Sequence, residues 1–165
     1  MFYFSYGSNM SSKRLGLRVP SAKSHAAAIL QNHQLKWHKR GLDSSAKCDV
    51  EYSENNSHFV IGVVFKILPD HKVLLDAYEG LGKGYEVKQI SVKDREGNLF
   101  DAFTYYATDI DKSLSVYHWY KQHVLVGARE HDLPNEYITK IENINTIDDL
   151  DSERHIREIS IYHNL

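Results

Sequence analysis

One cysteine, Cys48, is all that the 165-residue chain carries. An intramolecular disulfide is therefore excluded, and so is a zinc site built from four cysteines. Charge of one sign is equally scarce: 20 Lys and Arg stand against 22 Asp and Glu, for a formal net charge of −2. That balance gives no electrostatic reason to expect nucleic acid or an anionic membrane as a partner. Long hydrophobic runs are missing as well. Stretches such as Phe59-Val60-Ile61-Gly62-Val63-Val64-Phe65 are far too short to span a bilayer. The start of the chain lacks the basic flank, apolar stretch and small-residue cleavage site of a secretory leader. These absences point to a soluble, cytoplasmic chain. Histidine is plentiful, with 10 residues, yet no His-Glu-x-x-His and no paired Cys/His pattern occurs. His118 and His123 sit five apart, a poor match to two ligands on one helix face. The histidines, His163 included, read as scattered and mostly solvated, and no metal or cofactor is expected.

At 42% hydrophobic and 25% charged, the chain has the composition of one globular domain with a sizeable core. Phe2-Tyr3-Phe4-Ser5-Tyr6 is an aromatic run suited to a strand; Gly7 breaks it and Ser8-Asn9 begins a turn. Ser11 or Ser12 can cap a short helix through Leu15. His25 to Trp37 reads as one long or bent strand, and polar Gly41–Ser57 reads as loop. His58–Leu68 is a buried-type strand. Pro69-Asp70 opens a short helix with Val73, Leu74, Ala77 and Tyr78 at helical spacing, stopped by Gly80. Tyr85–Lys93 and Leu99–Ala107 form a hairpin around Asp94–Asn98. Ser113–Val126, with Gly127 near its end, and the segment starting at Leu133-Pro134 and running to Ile144 are helical. After Asn145 an acidic stretch leads to Ile159 and Ile161, which alternate as an edge strand would, or lie loosely on the surface. Strands first and helices late predict an α+β domain over 1–144, a small mixed β-barrel with flanking helices, and a C-terminal extension over 145–165.

Chemistry has two candidate places. A glycine after a buried strand, followed by Ser8-Asn9, exposes consecutive backbone N–H groups that can hold a carboxylate. Asn9 adds donors and an acceptor. The same residues also spell a plain turn. Glu79 sits at the expected end of a helix, where the negative pole disfavours its charged form, and burial would add to that. It suits proton transfer, although on the sequence alone an exposed surface glutamate is the plainer reading. The glycines of Gly80-Leu81-Gly82-Lys83-Gly84 do not form a phosphate loop, because Gly84 follows Lys83 and Ala77 holds the first glycine position. They read as a flexible loop beside the site, or a lid. No Gly-x-Ser-x-Gly elbow occurs, and Cys48 lies in a polar stretch with nothing to activate it. Of the 11 tyrosines, Tyr85, Tyr105, Tyr106, Tyr117 and Tyr120 fall on core-lining elements, where one or two can reach a pocket.

Tyr6-Gly7-Ser8-Asn9-Met10 after an aromatic strand resembles the signature loop of the γ-glutamylcyclotransferase family, within the AIG2-like superfamily. Leu75-Asp76-Ala77-Tyr78-Glu79-Gly80, leading to Tyr85, is similar to a second block of that family. The segment from Tyr120 through Val126–Glu130 to Leu133-Pro134-Asn135-Glu136-Tyr137 is similar to its C-terminal helical region. The resemblance implies a barrel-like α/β fold and cleavage of γ-glutamyl-amino acids to 5-oxoproline and a free amino acid, a reaction of glutathione metabolism. It implies Glu79 as the proton-transfer residue and Tyr6, Gly7, Ser8, Asn9, Tyr85, Tyr105 and Tyr120 as the substrate-binding set, with Tyr106 a rival for the middle tyrosine. It implies a homodimer. Gly41–Ser57 and the tail depart from the family pattern, which leaves the substrate open: γ-glutamyl-amino acids first, γ-glutamyl-amines second, glutathione last. A binding module without catalysis is the remaining alternative.

The residue set suits that reaction. A γ-glutamyl compound carries its own nucleophile, the α-amine, so the protein needs no serine, cysteine or metal. It must bring amine and carbonyl together and move protons, which one carboxylate can do as base and then acid.

Overall fold

The computed structural model describes residues 1–162; His163 lies outside them. The chain opens with strand β1 (Phe2–Ser5), passes through a 3₁₀ turn (Ser8–Met10) and enters helix α1 (Ser12–Arg18). Ser11 caps that helix, its hydroxyl accepting from the Arg14 amide at 3.3 Å. Strands β2 (Lys23–Gln31), β3 (His33–Arg40), β4 (Ala46–Tyr52) and β5 (Phe59–Lys66) follow, then helix α2 (Lys72–Glu79) and strands β6 (Tyr85–Asp94) and β7 (Leu99–Ala107). The last third holds β8 (Val116–Tyr117), α3 (His118–Glu130), α4 (Asn135–Glu142), β9 (Thr146–Ile147) and α5 (Ser152–Ser160). No helix among the described residues is long and apolar enough to cross a membrane.

β1, β5, β2, β6 and β7, in that order, form a closed barrel. The pairs are antiparallel except at the seam, where Tyr3 of β1 meets Phe103 of β7 in parallel. Phe4, Phe65 and Phe103 fill the core and are almost fully buried. β5 is buried from Val60 to Phe65, which is why it reads as an unbroken apolar run. This is the expected mixed α+β barrel with flanking helices.

Several elements differ from expectation. The segment predicted as one strand from His25 to Trp37 is two, β2 and β3, separated by Asn32 at φ 58°. Asparagine tolerates that left-handed conformation, and the chain folds back there. Part of the predicted Gly41–Ser57 loop is β4, paired antiparallel with β3. Its inward positions Ala46, Cys48 and Val50 are buried, but alternation with Lys47, Asp49 and Glu51 hid them from a search for apolar runs. Asp49 is also buried: its carboxylate accepts from the Ala107 and Val50 amides, both at 2.7 Å, and lies 2.9 Å from His38 Nε2. The hairpin is thereby tied to the barrel.

The expectation of mostly solvated histidines fails at His33, His38 and His123, all buried. Among the described residues no group of three or more His, Cys, Asp or Glu side chains is placed to hold a metal. On α2 the expected apolar positions Val73, Leu74 and Tyr78 face outward, and Leu75 is the buried residue. Ile159 and Ile161, expected to alternate in an edge strand or lie loosely on the surface, instead fall in helix α5 and at its C-terminal end. β9 pairs with β8, and α5 is held by Asp149, which accepts from Arg154 at 2.5 Å and from the Trp119 indole at 2.8 Å. Glu158 on α5 lies 2.5 Å from Arg14 and 3.1 Å from His123.

Helix α3 does not stop before Gly127 but runs through it to Glu130. A Cβ at Gly127 would strike the backbone carbon of Met10 and the amide nitrogen of Ser11. Glycine is needed there because α3 presses directly on the 3₁₀ turn. Alanine is intrinsically better in a helix by about 0.8–1 kcal/mol, so the sign of Gly127→Ala is diagnostic. The expected result is a loss of about 1–3 kcal/mol from overpacking, read from denaturant midpoints; a stabilised variant would show that the contact is slack.

Candidate active site

The site forms where β1 leaves the barrel. Tyr6 donates its hydroxyl to the Tyr105 carbonyl at 2.6 Å, and the Met10 amide donates to the Gly7 carbonyl at 2.9 Å, fixing the turn between them. A Cβ on Gly7 would lie 3.0 Å from Cys48 Cβ and 3.4 Å from the Tyr120 hydroxyl. The loop is thus sandwiched between β1, β4 and α3, and glycine is the residue that fits.

Asn9 is 3% exposed and bonded at both ends. Its Nδ2 donates to Glu79 Oε1 at 2.6 Å, and its Oδ1 accepts from Arg18 Nη1 at 3.0 Å. These partners, an acceptor and a donor, fix which way the amide points. Two motifs 70 residues apart in sequence meet in that short hydrogen bond. Arg18 Nη1 also lies 3.9 Å from Glu79 Oε1, and its guanidinium stacks 5.2 Å from the Tyr78 ring centroid.

Glu79 is the last residue of α2, and Gly80 ends the helix at φ 67°. The Glu79 side chain is 15% exposed. Burial raises its proton affinity above the ordinary carboxylate range; Arg18, Arg14, Lys39 and the Asn9 hydrogen bond oppose the rise without cancelling it. The sequence reading named the helix pole and burial as causes, and burial is the main one in the structure.

Tyr6, Gly7, Ser8, Asn9, Glu79, Tyr85, Tyr105 and Tyr120 all line one narrow cleft, with Tyr3, Ser5 and Cys48 completing it. The choice between the two tyrosines of β7 falls on Tyr105, which is 2% exposed and faces the cleft; Tyr106 points to the other face of the strand, under Lys88. The phenols are anchored. Tyr85 donates to the Cys48 carbonyl at 2.5 Å, Tyr105 donates to Asp76 Oδ1 at 2.5 Å, and the Tyr120 hydroxyl accepts from the Cys48 amide at 3.0 Å. Burial pushes all of their pKa values up, so they stay neutral and shape the walls.

The sequence reading missed Tyr3, Ser5, Cys48 and Arg18. Tyr3 and Ser5 flank Phe4 by strand alternation, and Cys48 follows from β4 in the same way. Arg18 gave no sequence signal, because its role depends on α1 folding beside α2. Cys48 is not in a polar loop as expected but is 1% exposed in the cleft wall, and burial raises its thiol pKa.

The cleft encloses about 280 Å³ of empty space and adjoins a wider cavity of about 1130 Å³, both volumes including space open to solvent. Ser8, Glu79, Tyr85 and Tyr120 line both. A separate groove between Trp37, Phe59, Tyr137 and Ile141 lies away from this constellation.

The model of the AIG2-like family matches residues 59–141. The bovine γ-glutamylcyclotransferase is 32% identical over 150 residues, spanning 88% of this chain and 79% of that protein. The human γ-glutamylcyclotransferase is likewise 32% identical over 150 residues, with 88% and 79% covered. A solved structure of a γ-glutamyl cyclotransferase superposes with a TM-score of 0.88 at 29% identity, covering 99% of each chain.

The raised pKa of Glu79 has a stability consequence. Ionisation of this carboxylate is harder in the folded chain than in the unfolded one, so the folded state loses stability as pH rises through the unfolded value and the cost levels off above the folded one. Glu79→Gln removes that cost while keeping an acceptor for Asn9. Its melting temperature, measured against pH, should exceed that of the parent at neutral pH, with the advantage shrinking as pH falls towards the unfolded carboxylate pKa. A variant destabilised at neutral pH would mean that the Arg18 and Asn9 contacts outweigh burial.

Proposed function

The chain belongs to the γ-glutamylcyclotransferase family, and from that premise we propose that it cyclises the γ-glutamyl group of a γ-glutamyl-amino acid to 5-oxoproline, releasing the free amino acid, with Glu79 as the proton-transfer residue. The observation that carries the reading is the 2.6 Å hydrogen bond between Asn9 and Glu79, which sets the only carboxylate among the described residues lining the cleft beside the glycine-containing turn.

The sequence of events follows from the chemistry of the substrate. The α-ammonium gives a proton to the Glu79 carboxylate. The freed amine attacks the γ-carbonyl carbon, forming the new C–N bond and placing negative charge on the carbonyl oxygen. Amides of the turn, whose first N–H groups have no partner within the 3₁₀ helix, suit the α-carboxylate or that oxyanion. As the tetrahedral species collapses, the C–N bond to the departing amino acid breaks and Glu79 gives its proton to the leaving nitrogen; the second proton on the new ring nitrogen then passes through the regenerated Glu79 carboxylate to the released amine, which departs as an ammonium. Both protons are accounted for by one residue. A carboxylate with raised proton affinity is a better match to the ammonium it must relieve and to the amine it must protonate. The neutral tyrosines hold the substrate folded, where the intramolecular reaction has its large entropic advantage.

The cytoplasm as the place of action and a homodimer as the assembly complete the proposal; the first rests on the sequence reading and the second on family resemblance, which light scattering of the purified chain tests.

Glu79→Gln should lower 5-oxoproline release from γ-glutamyl-alanine by about two to four orders of magnitude. Normal turnover in the folded variant would remove Glu79 from the mechanism. Gly7→Val must displace Cys48 or Tyr120, because even a single added carbon comes within 3.0 Å of Cys48 Cβ. A raised KM or a lost kcat is expected, and unchanged kinetic constants would mean that the turn can move without consequence.

A further inference from the structure

We propose that Lys39 is a specificity-determining residue on the leaving-group side of the site: it receives a carboxylate carried by the departing amino acid and so selects γ-glutamyl-amino acids over γ-glutamyl-amines. The inference rests on the cyclotransferase reading above and deepens it.

The wide cavity offers the leaving group room beside Glu79. Glu79, which must meet the scissile nitrogen, lines both the narrow cleft and the wide cavity, so a glutamyl group held by the turn at Gly7 directs its substituent into the wide cavity. That cavity is cationic. Arg14, Arg18, Lys39, Lys47, Lys83 and Arg154 line it against three carboxylates, Asp43, Glu79 and Glu158.

Most of those cations are already engaged. Arg14 lies 2.5 Å from Glu158, Lys47 lies 2.7 Å from Asp43 and Arg154 lies 2.5 Å from Asp149. Arg18 is held by Asn9. Lys39 and Lys83 have no carboxylate within ion-pair distance among the described residues.

The two differ in how they are held. Lys83 is exposed and sits between Gly82 and Gly84 in a turn. Lys39 lies in β3 and is 7% exposed, with its ammonium 4.7 Å from the centroid of the Tyr85 ring. Gly84 lies close over it, so that a Cβ there would be 3.2 Å from Lys39 Nζ. An ammonium this confined would ordinarily be paired. The Tyr85 face favours the cation without supplying a hydrogen-bond acceptor, which leaves its three N–H donors for a ligand. Burial lowers its proton affinity, while the nearby Glu79 carboxylate helps keep it charged. A carboxylate is the ligand such a group accepts best, and a plain amine leaving group lacks one.

The test compares γ-glutamyl-alanine with γ-glutamyl-alaninamide, which share the scissile bond and the glutamyl group. The parent protein should favour the acid by about 10- to 100-fold in kcat/KM, the range of a charge-assisted hydrogen bond. Lys39→Met should bring the ratio to about one, Lys39→Arg should keep most of it, and Lys83→Met should leave it in place. Because each ratio is taken within one protein, a general disturbance of Tyr85 cancels. Equal rates on acid and amide in the parent, an unchanged ratio in Lys39→Met, or a collapse in Lys83→Met alone would each overturn the assignment. Failure of the parent to release 5-oxoproline from either compound would instead overturn the cyclotransferase reading on which it rests.

Discussion

The barrel closes at one parallel contact, Tyr3 of β1 against Phe103 of β7, and the site depends on that seam. A strand four residues long can hold such a position only if both of its edges are paired and its side chains fill the interior, as Phe4 does. Thr104 adds a hydroxyl hydrogen bond to the Phe4 carbonyl at 2.8 Å, and Tyr6 reaches the Tyr105 carbonyl. β1 is therefore locked to β7 beyond its ladder. The chain leaves the barrel in a fixed direction, meets α3 at Gly127 and turns. Asn9 is delivered to Glu79 by this sequence of constraints, none of which involves the substrate.

Around that meeting point, the fold holds an ionisable group at a cost in stability. A carboxylate is kept largely out of water, with Arg18 at 3.9 Å and an asparagine amide in place of a closely paired cation. Closer pairing would stabilise the charged form and leave a weaker base. The surrounding hydroxyls are treated differently. Tyr85, Tyr105 and Tyr120 each hold a hydrogen-bond partner of their own, so they contribute shape and polarity to the cleft wall.

The barrel strands were legible in the sequence wherever burial covered both faces or a turn marked the ends. β5 and the β6–β7 hairpin fall in this class. β4 was not, because a strand alternating Ala46, Cys48 and Val50 with charged residues looks polar on average, and Asp49 is buried for a reason that only its partners reveal. Helix α5 was illegible for a related cause: it is anchored by Asp149–Arg154 and by Glu158–Arg14 rather than by an apolar stripe. Glu79 and the Tyr6–Asn9 turn could be picked out as candidates, but their adjacency could not be read from spacing. Arg18 and Lys39 could not be picked out at all, since a cation acquires meaning in this fold only through what stands opposite it.

The chain's one thiol occupies an unusual position. Cys48 presses against Gly7, and its backbone amide and carbonyl hold Tyr120 and Tyr85 in the cleft wall. Its sulfur is shielded from solvent, so a reagent reaches it through loosening of the packing around the cleft wall. The rate at which a thiol reagent labels this chain is thus a clock for opening of the wall itself. A natural, single-site probe of the local unfolding of the cleft is built into the sequence, with no label to introduce and no competing cysteine to subtract.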